Sequence, residues 1–330
     1  MPSLPCAAQK QDTVGMQSIS TPSLRPAPAR VDRLLVLELW GLGDLALAVP
    51  FLRAASANVE VTLVAKPHAA PLLARFCPAV KLVPLVAPWT AFRGKYRFHT
   101  WPWRALGDVV EQLQTTHFNA AVSARPDPRD HAFMALSGAP LRAGFPRRGS
   151  GLLLTDRLAP PVEIHRARHW ETVAAHFGWT LPPLAPAPRT GNHLVVHTGA
   201  GQPLRAWPRD RFEQLATRAQ AAGWRVTLLD DSLRNLDQLL DILASADRFL
   251  GNDSGPGHLA ALIGVPTFTV FGPQLPALFV PQHPQAAWIE GSACRFKPCF
   301  DDCRFASPHC ILELTPDDVW ARVEPWLRRH

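Results

Sequence analysis

Strand-like and helix-like segments alternate along this chain, stop at a proline-rich stretch, and then resume. No other feature constrains the fold as strongly. Parallel strands joined by helices bury both faces of a sheet and gather their loops along one edge. The run Arg33-Leu-Leu-Val-Leu-Glu-Leu39 reads as a buried strand, Trp40 to Gly43 as a turn, and 44–57 as a helix. A strand over 59–65, a helix over 69–76 and a strand near 80–85 follow, then a helix over 105–116 and a strand over 118–123. The stretch 166–177 reads as a helix stopped by Gly178. Leu181-Pro-Pro-Leu-Ala-Pro-Ala-Pro-Arg-Thr-Gly-Asn192 has the composition of a linker. Beyond it come strand 193–197, helix 209–222, strand 224–229, helix 236–246, strand 248–251, helix 257–263 and strand 267–271, the last expected to close a second sheet. Thr315, with Asp317 and Asp318, starts a final amphipathic helix.

The expected organisation is a disordered tail over 1–30, a βα domain over 31–180, a linker over 181–192 and a second βα domain over 193–315. A helix over 316–330 is placed to cross back to the first domain. A cleft between two such domains is the default ligand site. Composition agrees, because 330 residues with 47% hydrophobic and 18% charged content exclude general disorder, a collagen repeat and a disulfide-knotted miniprotein. Residues 1–30 hold no apolar run of the signal-peptide kind. The stretch 34–52 is long enough to span a bilayer, but Glu38, Gly41, Gly43, Asp44 and Pro50 make it a strand, turn and helix instead. A cytoplasmic protein, at most peripheral to the inner membrane, is expected. Only 5 of the 34 basic residues are lysine, and arginine suits bidentate contacts to phosphate or carboxylate. The plain alternative for the net charge of +7 is solubility.

Three loops carry candidate chemistry. Gly41-x-Gly43-x-x-Ala46 follows a strand and opens a helix, as a dinucleotide fingerprint does. However, Asp44 would repel a pyrophosphate there, and the second strand ends in Lys66-Pro67 without an acid for a ribose. Asp44 itself, at the mouth of a parallel sheet, is placed as a general base or, more plainly, as a helix cap. His197-Thr-Gly-Ala-Gly201 precedes Arg205-Ala-Trp-Pro208. Thr198, Gly199 and Gly201 form either a phosphate cradle, with Arg205 neutralising the anion, or an ordinary tight loop. The most specific is Gly251-Asn-Asp-Ser-Gly-Pro-Gly-His258 before Leu-Ala-Ala. The amides of Ser254, Gly255 and Gly257 would face an anion at a helix N-terminus, Asp253 would accept from sugar hydroxyls, and His258 would bind phosphate or hold the loop.

Together these loops resemble glycosyltransferase family 9, the heptosyltransferase family of lipopolysaccharide core assembly, over about 33–326. Asn252-Asp-Ser-Gly-Pro-Gly-His258 carries most of the likeness, with Gly43-Asp44, Pro50-x-Leu-Arg53 and the helix bearing His169 and Glu171. The resemblance implies an α/β protein of GT-B fold, with two Rossmann-like domains facing each other across a cleft. It implies inverting, metal-independent transfer of a heptose-like sugar from a nucleotide diphospho-sugar, such as ADP-heptose, to a glycan or glycolipid hydroxyl. The family's base falls on Asp44, its phosphate-binding lysine on Arg205, and its donor loop on Asp253, Ser254, Gly255 and His258. This chain departs from the pattern at Arg205 itself and at Glu38, where the family has an arginine. It is also shortened after Leu229, where the family places an acidic contact to the nucleotide. Asp230 or Asp231 would then serve.

Two clusters stand apart. Cys294, Cys299, Cys303 and Cys310, with His309, suit either a structural zinc site or free thiols. No cofactor is expected for catalysis. The segment 89–104 interleaves aromatic and basic residues. Arg93, Lys95 and Arg97 there, with Gly43, are the candidate acceptor contacts, and the segment also suits an anionic membrane surface. The plain alternative is a long loop packed on the first domain. No nucleic-acid partner is expected, since no such fold accompanies the segment. Two other function classes stay open: a nicotinamide-dependent oxidoreductase using the Gly41 loop, and a non-catalytic sugar- or glycolipid-binding relative.

Overall fold

The computed structural model describes residues 31–183, 189–230, 232–233, 235–300 and 302–328. The expected tail over 1–30, the centre of the linker and Asp231 lie outside the described residues.

The first half holds strands β1 (Arg33–Glu38), β2 (Glu60–Ala65), β3 (Lys81–Pro84), β4 (Ala120–Ser123), β5 (Leu141–Gly144) and β6 (Asp156–Arg157). Its helices are α1 (Leu42–Ser56), α2 (Ala69–Phe76), α3 (Trp103–Thr116), α4 (Pro128–Leu136) and α5 (Arg166–His176). The strands pair in parallel in the order β3-β2-β1-β4-β5-β6. The second half holds β7 (His193–His197), β8 (Arg225–Leu229), β9 (Arg248–Asn252), β10 (Thr267–Phe271) and β11 (Ala287–Glu290). Its helices are α6 (Arg209–Ala221), α7 (Leu236–Ala244), α8 (Gly255–Leu262), α9 (Pro276–Phe279), α10 (His309–Leu312) and α11 (Pro316–Leu327). Here the parallel order is β11-β10-β9-β7-β8.

Leu34, Leu35, Val36 and Leu37 on β1 are fully buried, as are Leu194, Val195 and Val196 on β7. Continuous apolar strands of this kind are what a sheet covered on both faces requires. In each sheet the strand order reverses at one point, between β1 and β4 and between β7 and β9. Crevices open there at the carboxyl ends of the strands. The halves also share a core, because Ala46 and Val49 of α1 belong to the same buried cluster as Leu259 and Ala260 of α8.

Two expectations are corrected, and one further stretch gains its elements. β10 does not close the second sheet, because β11 adds an outer strand. The stretch between β4 and α5 supplies α4, β5 and β6. The last helix does not cross back: Val319, Val323 and Trp326 of α11 pack with Phe212 of α6 and Phe268 of β10. Its cap is as expected, since Thr315 accepts the Asp318 N–H while Asp318 accepts the Thr315 N–H. Among the described residues no helix is long and apolar enough to cross a membrane.

Candidate active site

Asp44 sits in the first turn of α1, just beyond the carboxyl end of β1. Its Oδ2 accepts the Gly41 N–H at 3.2 Å, so it does cap the helix. Its Oδ1 meets Arg125 Nη2 at 2.6 Å, with the two side chains only 20% and 16% exposed. Arg125 follows β4, the strand beside β1, so the reversal of strand order brings the pair together. The Arg125 guanidinium lies 4.7 Å from the centre of the Trp40 ring. Trp40 Nε1 and Trp89 Nε1 in turn donate to the buried Asp130 carboxylate at 3.2 and 2.9 Å. Burial alone would raise the Asp44 carboxyl. Arg125, then Arg166 and the Gly41 N–H, outweigh it and hold the group below its ordinary range, so it is ionised at neutral pH.

Glu38, at the end of β1, takes the opposite course. Burial and the neighbouring Asp44 charge push it from 4.5 to about 8. Between those values the folded protein keeps a proton that the unfolded chain has released, so this group's contribution to stability is full below 4.5 and falls as pH rises towards 8. Glu38→Gln, which cannot ionise, should therefore gain thermal stability relative to wild type progressively from pH 5 to pH 8, read as the difference in Tm. A difference that is flat across that range removes Glu38 from the buried charge network.

The second crevice gathers the loops after β7 and β9. Asn252 staples them: its Nδ2 donates to Thr198 O at 2.9 Å and Gly199 O at 3.1 Å, while its Oδ1 accepts the Trp207 N–H at 2.9 Å. Arg205 Nη1 lies 3.6 Å from Asp253 Oδ2, and its Nη2 donates to Phe300 O at 3.4 Å. Burial lifts the Asp253 carboxyl from 3.8 to about 6, against the pull of Arg205. His258 falls to about 4 through burial and is neutral at pH 7. Arg205 Nε, Asp253 Oδ2, His258 Nδ1 and Gln202 Oε1 are buried without a hydrogen-bond partner. Native structures rarely leave such atoms unpaired, and their grouping makes this crevice the candidate place for a polar ligand. Gly201 has open space where a side chain would stand. Ser254 turns its hydroxyl back to Asn252 O rather than capping α8, which leaves the positive end of that helix available. Gly257 corrects the expectation, because its N–H is bonded to Ser254 O at 3.2 Å.

The two crevices meet where the first turns of α1 and α8 touch. A Cβ on Gly43 would lie 2.8 Å from His258 Cδ2, and one on Gly255 would lie 3.0 Å from Leu42 Cβ. The glycines of both motifs therefore permit close approach of two helix N-termini. Behind the junction lies a cavity of about 310 Å³, lined by Ala46, Leu47 and Pro50 of α1 and by His258, Ala261 and Leu262 of α8.

The remaining expected residues are exposed or engaged with other groups. Arg93 and Arg97 are exposed, and Lys95 Nζ stands 5.7 Å from the centre of the Tyr96 ring. Their segment is anchored by the buried Trp89, while Phe92, Tyr96, Phe98 and Trp103 remain exposed. The zinc site is not assembled: among the described residues no three His, Cys, Asp or Glu side chains converge as a metal ion requires. Cys299 Sγ turns to Phe296 O at 3.5 Å and Cys303 Sγ to Ser307 O at 3.8 Å. Asp230 is ion-paired with Arg209 at 2.8 Å. Sequence reasoning missed Arg125 and Arg166, and it named Asn252 within the motif without giving it a role. Arg125 carried a usable signal, as a cation placed just past the strand ending in Ser123.

The family model described as Glycosyltransferase family 9 (heptosyltransferase) matches residues 233–307, which include the 252–258 loop. Lipopolysaccharide heptosyltransferase 1 of Pseudomonas aeruginosa is 27% identical over 187 residues, 46% of this chain and 52% of the relative. The chain thus matches about half the length of that curated protein. The structure of E. coli heptosyltransferase WaaC with ADP superposes with a TM-score of 0.68 at 18% identity, covering 89% of this chain and 99% of that one. The glycosyltransferase family 9 structure from Veillonella parvula gives 0.69 at 17% identity, covering 91% and 98%. These neighbours establish the GT-B fold, with two Rossmann-like domains. In fold over about nine tenths of its length, and in sequence across 233–307, the chain resembles the heptosyltransferases of glycosyltransferase family 9.

Proposed function

We propose that the chain transfers a heptose-like sugar from a nucleotide diphospho-sugar to a hydroxyl of a glycan or glycolipid acceptor, with inversion and with no metal in the reaction. The observation that carries this reading is the contact between the turn holding Asp44 and the α8 N-terminus beside Asp253 and His258. A base on one half thereby faces an anion site on the other. Asp44 removes the proton from the acceptor hydroxyl, which attacks the anomeric carbon from the face opposite the diphosphate. Arg205 and the α8 N-terminus stabilise the charge that grows on the leaving diphosphate, a task other transferases give to a metal. Thr198, Gly199 and Gly201 lie along the same diphosphate. Similar solved structures hold ADP and ADP-2-deoxy-2-fluoro heptose, which supports ADP as the nucleotide. The exposed aromatic residues with Arg93, Lys95 and Arg97 rest on an anionic membrane surface and present the acceptor half to it.

A thermal-shift screen tests this reading. ADP and ADP-sugars should raise the unfolding midpoint by mass action, worth about 2.7 kcal/mol at a hundred times Kd, while UDP and GDP should shift it less. A midpoint unmoved by every nucleotide diphosphate and nucleotide sugar sinks the proposal.

A further inference from the structure

We propose that the concavity formed by Arg147, Arg148 and Arg157 is a phosphate-binding subsite on the acceptor half. The inference rests on the glycosyl-transfer reading and adds a chemical class to the acceptor, a glycan or glycolipid bearing a phosphate group.

The concavity is open, about 300 Å³ in volume, and lined by Pro146, Arg147, Arg148, Gly149, Gly151 and Arg157, with Leu152 at its rim. It contains three guanidiniums and no acid. Among the described residues no carboxylate forms an ion pair with any of the three. Like charges gathered without a counter-ion repel one another, and an anion relieves that repulsion. Guanidinium forks match phosphate oxygens in bidentate fashion, and three of them suit a phosphate dianion better than a single carboxylate.

The surrounding loop is built rather than loose. Buried His131 Nδ1 lies 2.9 Å from Ser150 Oγ, which accepts the Arg147 N–H at 3.0 Å. Arg157 Nε donates to Gly151 O at 3.0 Å, and the parallel ladder sets Arg157 beside Gly144. Arg148 at φ 50° and Gly149 at φ 83° both occupy the left-handed region, which is unfavourable for arginine.

Position supplies the link to the reaction. β5 and β6 lie on the same parallel sheet as β1 and β4, so these arginines share the carboxyl edge with Asp44. At the usual strand spacing β5 and β6 stand about 10–15 Å from β1, the strand that leads into the Asp44 turn. Arg147 is near enough to disfavour the charge on Arg166, which in turn faces Asp44.

Trehalose 6-phosphate, trehalose and vesicles containing phosphatidylglycerol are suitable probes, titrated against wild type and against Arg147→Gln, Arg148→Gln and Arg157→Gln. All three positions are exposed, and the melting midpoint of each variant verifies folding. The phosphorylated disaccharide should bind and trehalose should not, with affinity falling roughly 10-fold per arginine removed. Variants that lose vesicle binding, but show no change with the soluble phosphate, assign the phosphate to a lipid headgroup. Equal binding by wild type and variants in both arms overturns the proposal. ADP binding is measured alongside. If ADP binds and neither phosphate probe distinguishes the variants, the subsite fails while the transfer reading stands. If ADP does not bind, it is the transfer reading that fails.

Discussion

Asp44→Asn should lower glycosyl transfer by about 10²- to 10⁴-fold while leaving ADP affinity nearly unchanged. The amide keeps the shape of the carboxylate and can still accept the Gly41 N–H that closes the first turn of α1. It cannot take a proton from the acceptor. The substitution also removes the charge facing Arg125 at 2.6 Å, and breaking a mostly buried pair costs about 3–5 kcal/mol when the partner stays charged. A melting curve must therefore accompany the assay, so that lost activity is measured on folded protein. Because Arg125 and Arg166 hold the Asp44 carboxyl below its ordinary 3.8, wild-type activity should persist to lower pH than a free carboxylate allows. Arg125→Gln should move that acid limb upward. Wild-type turnover in Asp44→Asn removes Asp44 from the mechanism, whatever the pH profile shows.

Arg205→Ala should weaken nucleotide-diphosphate binding roughly 10- to 150-fold, the equivalent of about 1.5–3 kcal/mol for a charge-assisted hydrogen bond. Transfer should slow with it, because the same guanidinium that binds the ground-state diphosphate meets more charge as the diphosphate departs. Arg205 is held 3.6 Å from Asp253 and 3.4 Å from Phe300 O, and its Nε is buried without a partner. On the proposed reading, a donor completes a group that is already positioned. Arg205→Lys should recover part of the loss, since the charge is retained but the bidentate fork is not. Calorimetric titration with ADP decides the matter. Equal affinities for wild type and Arg205→Ala make Arg205 a structural residue only.

The legible parts of the site were those with strong local requirements. The loop at 252–258 combines glycines, an Asp and a proline at a helix start, and the structure keeps it as the turn from β9 into α8. Asp44 was legible for the same reason. By contrast, β5 and β6 are four and two residues long, too short for hydrophobic periodicity to register. They exist because β4 offers an open edge to β5, and β5 in turn offers one to β6. Arg147, Arg148 and Arg157 come with them, and so went unread. The cysteine cluster shows the converse. Thiols close in sequence suit either a zinc site or free thiols, and only the folded loop shows Cys299 and Cys303 turned to backbone carbonyls.

What the sequence determined by itself is the pair of βα halves and the loops at their carboxyl edges. Buried parallel strands demand unbroken apolar runs, and tight loops beside helix starts demand small and polar residues, so both requirements are written locally. Only the tertiary structure decided which charges meet. Strand order placed Arg125 against Asp44, and the packing of α1 on α8 gave Gly43 and Gly255 their purpose. Such contacts join residues far apart in the chain. They are settled by how whole sheets and helices pack, for which no short stretch of sequence carries a signal.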